Sequence, residues 1–375
     1  MGTIAGTKVG QGRRLYVSAT RQTEQGTEAT LTHIIDHMLD SEPLEIDQER
    51  MDDDLHASGN DSDHPRSHLV LGHSLNQPFS CLASLELIGI FLSAAMNAAD
   101  TKTGGAAPYA HDLAYAALPN FLPMLTLEEH MGGATWVAAT DRRHLDVSID
   151  SFELAVPGAG QARINLGLLG TGRTEAGSDI TEGGLRAFTG PMPAPKFRVS
   201  IEANSSNGAS NWDGTSEVSA TAGAFPTLDS GATDISSYMS NLVIRVLNGS
   251  KQEPEFGSSV GSGLYNGQVM PAEGGRRVEV EFTAKYGTPF SVLLHSLADS
   301  TNLLQKEWTI ILNATSDTAG HGGMIALPVC ALMAKPSGMT GRGPLSVTYK
   351  FRARKCALYQ PIVAKICNFD SMAYA

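Results

Sequence analysis

The stretch from Arg276 to Cys356 constrains the fold more than any other part of the chain, because most of it has the pattern of β-strands. Between Arg277 and Thr283, apolar and polar residues alternate strictly, which predicts a strand with one buried face. Three more runs have strand character: Glu307 to Leu312, Met324 to Leu332 and Leu345 to Arg354. A chain with this pattern must pair its strands, and because so few helices are predicted the pairing is expected to be mostly antiparallel.

A helix is predicted between the first two of these strands. Pro289 begins a segment whose apolar residues recur at helical spacing, and proline suits a first helical turn because its missing N–H has no partner there. An earlier motif, Pro78–Leu82, matches Pro289–Leu293, and this alignment places Leu71 on Phe282. Strand-like runs follow the earlier motif too, at 112–116, 124–130 and 145–156. The sequence therefore predicts that a unit of one strand, a helix starting near the proline motif and three strands occurs twice.

This repeat divides the chain into four parts. Residues 1–67 form an N-terminal arm and an acidic loop, 68–170 the first unit, 171–195 a linker or long loop, and 196–375 the second unit. Leu31 to Leu39 is predicted as one or two helical turns or as a strand. Tyr238 to Asn248 is predicted as a strand that ends in a hairpin turn at Asn248-Gly249. With only two helices predicted, the expected fold class is mainly β (α+β).

Composition and charge exclude several classes of function. The chain has 375 residues, of which 42% are hydrophobic and 18% charged, as expected for a soluble protein of about two domains. We find no apolar run long enough to cross a bilayer and no signal peptide at the N-terminus. The net charge of −12 argues against a protein that grips nucleic-acid phosphates. It fits a surface past which a polyanion slides.

Four sequence motifs partly match known chemical sites, but none of them predicts a catalytic, cofactor-binding or metal-binding residue. His33 and His37 have the spacing of two zinc ligands on a helix, but no third ligand is evident. Ser259 lies in a Gly-x-Ser-x-Gly motif with polar, glycine-rich flanks, which favours a linker over a nucleophile elbow. The glycine-rich stretch at 170–177 lacks the Lys-Ser/Thr of a phosphate-binding loop, and the acidic residues at 47–63 lack the order of a calcium loop.

A basic stripe, formed by Lys350, Arg352 and Arg354, is the one candidate interaction site. These residues alternate with Val347, Tyr349 and Phe351, so they are expected on the outer face of a strand. One interpretation is an ordinary solvated sheet face. The other is a contact between subunits, in which the stripe meets an acidic surface.

Several stretches resemble the tail tube (major tail) proteins of long, non-contractile-tailed bacteriophages. Glu24–Ala29 follows the pattern Glu-x-Gly-Thr-x-Ala of the arm in that family, and Leu122–Glu128 is similar to its Leu-Pro-Ser-Leu-Thr-Ile-Glu strand. The resemblance extends over most of residues 20–370. The other similar stretches are Leu85–Met96, Tyr109–Leu113, Asp146–Phe152, Asn241–Gly257 and Met324–Pro328.

The resemblance implies a structural virion protein and not an enzyme. Its fold would be a β-sandwich or curled sheet with a flanking helix, and its sheets would join those of neighbouring subunits in stacked homo-oligomeric rings. Three duplicated chains or six single-unit chains would close a ring, and DNA would pass through the lumen without specific binding. The partners would be further copies and other tail proteins, with no membrane. The protein would be made in the host cytoplasm and reside in the virion.

Two structural features follow from this expectation, and one rival function remains. Exposed strand edges would be covered by ring closure. The polar arm Arg21–Thr30 and the loop Thr171–Pro195 would be ordered by a neighbouring subunit. The alternative function is another β-rich virion component, a head-decoration or capsid protein.

Overall fold

A computed structural model describes most of the chain. The described residues are 13–35, 38–39, 44–52, 68–116, 122–131, 141–178, 180, 185, 190–205, 210–214, 218–252, 269–271, 275–285, 307–333 and 346–374. The helix predicted to begin at Pro289, together with His37 and Ser259, lies outside these residues.

The fold is mainly β, as predicted. Within the described residues there is one α-helix, α1 (Leu85–Met96), and there are two 3-10 turns, Ala194–Lys196 and Ser236–Tyr238. The strands are β1 (Arg13–Val17), β2 (His33–Ile35), β3 (Asp47–Asp52), β4 (His68–Leu82), β5 (Ala99–Thr103), β6 (Tyr109–Ala114), β7 (Leu125–Met131), β8 (Arg142–Pro157), β9 (Arg163–Gly170), β10 (Thr174–Ala176), β11 (Phe197–Ala203), β12 (Thr233–Asp234), β13 (Met239–Leu247), β14 (Ser250–Gln252), β15 (Val269–Pro271), β16 (Arg277–Lys285), β17 (Glu307–Thr315), β18 (Gly322–Leu332), β19 (Ser346–Ala353) and β20 (Val363–Asn368).

The two halves of the chain, β1–β10 and β11–β20, contain strands with the same neighbours. In the first half the order is β2-β1-β7-β8-β9-β4, and in the second half it is β12-β11-β17-β18-β19-β16. Every one of these pairings is antiparallel. The strand that follows each set also pairs in the same way, because β10 pairs with β8 and β20 pairs with β18.

The halves are joined into one large antiparallel sheet by the pairing of β8 with β13, which we call the seam. Along the seam, Ser151–Pro157 of the first half pairs with Asn241–Leu247 of the second. A second junction pairs β20 with β6. A single cluster of buried apolar side chains extends through both halves, so the seam lies over a shared core.

Helix α1 occupies the centre of this core. Ser84 caps its first turn, since the Leu87 N–H donates to the Ser84 hydroxyl at 3.2 Å, and Asn97 ends it in the left-handed conformation at φ 50°. All twelve helix residues are buried. An apolar helix of this kind is stabilised by packing on every side, here against β6, β8, β13 and β20.

Arg276, directly before β16, closes the C-terminal end of α1. Its guanidinium donates to the carbonyl oxygens of Met96 at 2.7 Å and Ala116 at 3.1 Å, and to the side-chain oxygen of Asn248 at 3.0 Å. Its carbon lies 4.1 Å from the centre of the Tyr115 ring. The last carbonyls of a helix have no partners within the helix, so a residue of the second half completes the helix of the first.

Several sequence predictions are confirmed. Alternation in β16 buries Val278, Val280 and Phe282, and alternation in β19 buries Tyr349 and Phe351. The predicted helix Leu85–Met96 and the strands at 307–312, 324–332 and 345–354 are present with small shifts in their ends.

Others are wrong. Pro78–Leu82 does not mark the start of a helix but forms the end of β4, paired with β9. Asn248-Gly249 makes no hairpin between its flanking strands, because β13 pairs with β8 and β16 instead. The stretch 171–195 contains β10, which is paired with β8, so it is more than a linker.

Replacing Arg276 with alanine should lower the free energy of unfolding by about 2–3 kcal/mol, because several buried carbonyl oxygens lose their donor. Arg277→Ala is a matched control, since the Arg277 side chain is 52% exposed and contacts Glu279 at 3.4 Å; its cost should stay below about 0.5 kcal/mol. Urea unfolding of both variants measures the difference. Equal losses would show that Arg276 contributes no more than a surface arginine.

Candidate functional site: a charged ladder across both halves

Charged side chains alternate in sign across four strands on the face of the sheet that points away from the core. The strands are β8, β13, β16 and β19, so the array crosses the seam. Three carboxylates face three cations in what we call the charged ladder. Its members are Glu153, Arg245, Glu279, Glu281, Lys350 and Arg352.

Ion pairs connect the ladder from strand to strand. The guanidinium of Arg245 contacts Glu153 at 2.6 Å across the seam and Glu281 at 3.1 Å on its other side. Glu281 also contacts the Lys350 ammonium at 3.1 Å, and Glu279 contacts Arg352 at 3.3 Å. Residues that lie directly or diagonally opposite on one sheet face are close enough for such pairs, so the backbone registers place these charges together.

The charges of the ladder stabilise one another. Burial alone would raise the pKa of Glu281, but hydrogen bonds and charge from Lys350 and Arg245 outweigh it and hold that pKa below its ordinary value of 4.5. Burial alone would lower the pKa of Arg245, and the two carboxylates beside it raise it instead. Both groups are therefore charged at neutral pH. Each exposed pair contributes no more than about 1 kcal/mol, so the ladder tunes the surface charge more than it stabilises the fold.

The structure places all three residues of the basic stripe beside carboxylates of their own chain. Lys350 and Arg352 belong to the ladder, and the Arg354 guanidinium contacts Glu307 at 2.7 Å. A phosphate group that approached these cations would have to compete with carboxylates already in place. Cations that are paired in this way attract phosphate less than unpaired cations do.

The Glu24–Ala29 motif, which carries the family resemblance, forms a turn that packs on the first half of its own chain. The Gly26 N–H donates to the Asp146 carboxylate at 2.6 Å, and the Ala29 N–H donates to the Thr126 hydroxyl at 2.8 Å. Gly26 has φ 77°, and a side chain there would meet Arg173, so glycine is required. Contacts within their own chain already hold these residues in place, and the expectation that a neighbouring subunit orders the arm stays a prediction.

His144 is a titratable group buried near this arm, with 1% of its surface exposed. Its pKa is lowered from 6.5 to about 4, mainly by burial and further by the positive charges of Arg142 and Arg13. At neutral pH it is therefore an uncharged ring, although its Nε2 lies 3.9 Å from the Glu129 carboxylate. It acts as a packing residue that resists protonation.

The remaining motifs do not assemble into a chemical site. His33 lies in β2 and not on a helix, with its Nε2 3.1 Å from the Asp370 carboxylate. Gly170 ends β9, and the glycine-rich stretch after it leads into β10 without a helix. The acidic stretch expected to be a loop begins with a strand, β3, and 53–63 lies outside the described residues. Across the described residues, no group of three His, Cys, Asp or Glu side chains could hold a metal ion.

Sequence reasoning found two of the six ladder residues, Lys350 and Arg352, and missed the other four. The basic residues of β19 stand out because they alternate with apolar ones. Glu279 and Glu281 show the same alternation in β16, but nothing in the sequence says that β16 lies beside β19. Arg245 and Glu153 are isolated charges in apolar strands, and only the seam brings them together.

Comparisons with known proteins leave the family undecided. A scan against models of known protein families and a search of curated protein sequences found no match. Among the described residues, no helix combines the length and apolar character needed to cross a membrane.

Replacing His144 with leucine should flatten the dependence of stability on pH between about 6.5 and 4. In the wild type the unfolded chain takes up a proton near pH 6.5 and the folded chain only near pH 4. The contribution of His144 to stability is thus present above pH 6.5 and lost as the pH falls, by up to about 3 kcal/mol. Denaturant unfolding at a series of pH values measures it.

His144→Gln is the matched control for this experiment, because it removes the titration and keeps a polar side chain. Both variants should reduce the dependence of the free energy of unfolding on pH to the same degree. If the wild type and both variants kept parallel curves from pH 7 to pH 4, His144 would not be the group responsible.

Proposed function

We propose that this chain is the tail tube subunit of a long-tailed bacteriophage, with two copies of one structural unit per chain. Three chains would close a pseudo-sixfold ring, and rings would stack into a tube through which DNA passes. The observation that carries the proposal is the repeated strand order, combined with a sheet that continues from one half of the chain into the other.

The pairing registers support an internal duplication. Leu125 pairs with Val147 and Trp308 pairs with Cys330, and each residue of the second pair lies 183 positions after its counterpart. The same spacing relates Val147–Gly170 to Cys330–Ala353, the pairs formed by the next two strands. If the two halves were unrelated, there would be no reason for their paired residues to be separated by the same 183 positions.

A shared irregularity supports it further. Between Leu125 and Leu127 the partner strand advances by three residues, from Val147 to His144, which is a β-bulge. Between Trp308 and Ile310 the partner strand also advances by three, from Cys330 to Leu327. The extra residue therefore lies at the equivalent place in β8 and β18. Bulges are retained within families, so a common origin of the two halves explains the coincidence.

The residues between the bulge positions have equivalent surroundings. Thr126 and Thr309, again 183 positions apart, are both buried. The Thr126 hydroxyl lies 3.0 Å from the side-chain amide of Gln22, which follows β1, and the Thr309 hydroxyl donates to Asn204 at 2.7 Å, which follows β11. In both halves, the segment that follows the first strand of the set (β1 or β11) is thus hydrogen-bonded to the same position of the sheet.

This repeat aligns the residues of the two halves differently from the repeat predicted by the proline motif. Phe79 pairs with Leu166 and Phe282 pairs with Tyr349, and Tyr349 lies 183 positions after Leu166. Phe79 is therefore equivalent to Phe282, whereas the motif aligned it with Phe290. The five-residue match was a coincidence of sequence, and the repeat rests on strand order and register instead.

Sheet continuity supports a ring. The strands β4-β9-β8 of the first half are followed across the seam by β13-β16-β19-β18 of the second, all antiparallel. Within the chain each half joins one other half, and a chain on either side would give each half a neighbour at both ends. Repeated head-to-tail pairing of this kind closes into a ring.

The charged ladder supports passage of DNA through such a ring. It lies on the face of the continuous sheet opposite α1 and the core, which is the face that would line the lumen. Its cations are paired with carboxylates, so DNA phosphates would meet ladder cations whose charge is already compensated. A head-decoration or capsid protein would not need this neutralised face.

Purified protein should form rings with a central hole, or stacked tubes, in negative-stain electron microscopy. Native mass spectrometry of the rings should give three chains, because each chain supplies two units. A shell-bound decoration protein would form no hollow cylinders on its own. Protein that stays monomeric at high concentration would contradict the proposal. Rings of six chains would contradict the duplication and leave the tube function in place.

Removing the carboxylates of the ladder should create affinity for DNA. In a variant with Glu153→Gln, Glu279→Gln and Glu281→Gln, three cations per chain lose their partners, and duplex DNA should bind with an affinity that falls steeply with salt. Fluorescence anisotropy with labelled duplex DNA at several salt concentrations measures this.

The control variant, with Glu24→Gln, Glu45→Gln and Asp213→Asn, changes the net charge equally at exposed positions outside the ladder. It should bind DNA no better than the wild type. Equal binding by both variants would attribute the effect to net charge and remove the special role of the ladder.

A further inference from the structure

A cavity lies at one end of the seam, where β8 finishes and β13 begins. We propose that this cavity binds a small organic molecule that has one carboxylate group and an apolar body. The inference goes beyond the proposed ring and does not rest on it. It assigns a small-molecule site to a chain whose sequence motifs give no sign of one.

Both halves of the chain contribute to the cavity. The end of β8 supplies 156–158, the start of β11 supplies 197–199, and the start of β13 supplies Met239, Asn241 and Leu242. All of the residues that line the cavity belong to the described part of the chain. Its volume is about 440 Å³, within the range of small-molecule sites. Folded proteins have few voids larger than a water molecule, so this space is more than a packing defect.

Most of the side chains that line the cavity are apolar. Phe197 and Leu242 are buried members of the core cluster, and Met239 packs against that cluster. Phe225, which precedes β12, is half-buried and adds an aromatic ring. An aliphatic or aromatic body bound here would leave water for contact with side chains that the fold already holds in place.

Arg198 supplies the only positive charge among the residues that line the cavity. The central carbon of its guanidinium lies 4.9 Å from the centre of the Phe225 ring, and its Nη2 donates to the Pro226 carbonyl oxygen. The Nε–H of Arg198 is buried, and no described residue accepts a hydrogen bond from it. An unpaired N–H on a charged group is costly, and a carboxylate oxygen would supply the missing acceptor.

The charges at the cavity favour a ligand with a single negative charge. Burial lowers the pKa of Arg198, and the negative charge of Asp234 offsets only part of that effect. A carboxylate beside the guanidinium would therefore stabilise its charged form further. Asp234 also lines the cavity and is exposed, with its carboxylate accepting from the Ser236 N–H at 2.9 Å. A phosphate dianion would bring a second negative charge close to Asp234, so we expect it to bind less tightly.

The backbone around the cavity is held by its own hydrogen bonds. The Val199 N–H donates to the Ser236 hydroxyl at 2.8 Å, and the Gly158 N–H donates to the Ser240 carbonyl oxygen at 2.7 Å. A side chain at position 158 would come within 2.6 Å of that carbonyl oxygen, so glycine allows β8 to approach β13 closely here. The cavity is thus preformed, which lowers the cost of binding a ligand.

Isothermal titration calorimetry of the full chain with octanoate tests the proposal. Octanoate should bind at a single site, and 1-octanol should bind about tenfold or more weakly, because it lacks the charge that pairs with Arg198. Octyl phosphate should also bind more weakly than octanoate. Equal affinity for octanol and octanoate, tighter binding of octyl phosphate, or no binding of octanoate would each overturn the proposal and leave the proposed tube function untouched.

Two variants locate the site, with circular dichroism to check that each is folded. Arg198→Met should weaken octanoate binding about tenfold or more and leave octanol binding unchanged, since methionine keeps an apolar side chain. Ser237→Trp, at an exposed position that lines the cavity, should block both ligands and leaves Arg198 in place. Arg277→Met is the control, because Arg277 is 52% exposed and does not line the cavity. Unchanged octanoate binding in either folded cavity variant, or an equal loss in the control, would overturn the site.

Discussion

The antiparallel pairing of β8 with β13 is the interaction on which the rest of the structure depends. Its backbone hydrogen bonds cover an edge of each half, and buried strands cannot leave such groups unpaired without a large cost. With β13 fixed on β8, the register of β16 and then β19 follows. That register sets the order of charges on the outer face and the apolar layer beneath it. The seam thus defines both faces of the sheet at once.

The two halves share a strand order but differ in the chemistry of their outer faces. Around Thr126 the outer face of the first half carries the buried Glu128 and the half-buried Arg143, and the arm contacts Arg143 through Glu28. Around Thr309 the corresponding face is apolar, with Ile311 and Met324 packed against Trp212. A backbone scaffold held by register tolerates this exchange, because each covering segment can co-vary with the surface beneath it.

Much of the secondary structure could be predicted from the sequence, because alternation is a local property. The strands around Val280 and Phe351 are clear for this reason, and so is the apolar helix after Ser84. The arrangement of these elements could not be predicted. Pro78 suggested the start of a helix, yet proline is also compatible with a strand where its missing N–H needs no partner.

The charged ladder could likewise be predicted only in part from the sequence. Lys350 and Arg352 are visible as a stripe, but their neutralisation depends on Glu279 and Glu281, about 70 residues away along the chain. Arg245 has no local signal at all, since its two carboxylate partners come from different halves. Long-range registers decide which charges meet, and a single sequence contains no direct record of them.

The contact of Arg276 with the end of α1 has a consequence for how the protein is made. The guanidinium that completes the helix lies 180 residues after Met96. During synthesis, domains generally fold from the N-terminus as they emerge from the ribosome. Here the helix of the first half lacks its closing donor until translation has passed the middle of the second. Because β13, β20 and Arg276 all contact α1, we expect the core of the first half to be completed only when the second half has been made.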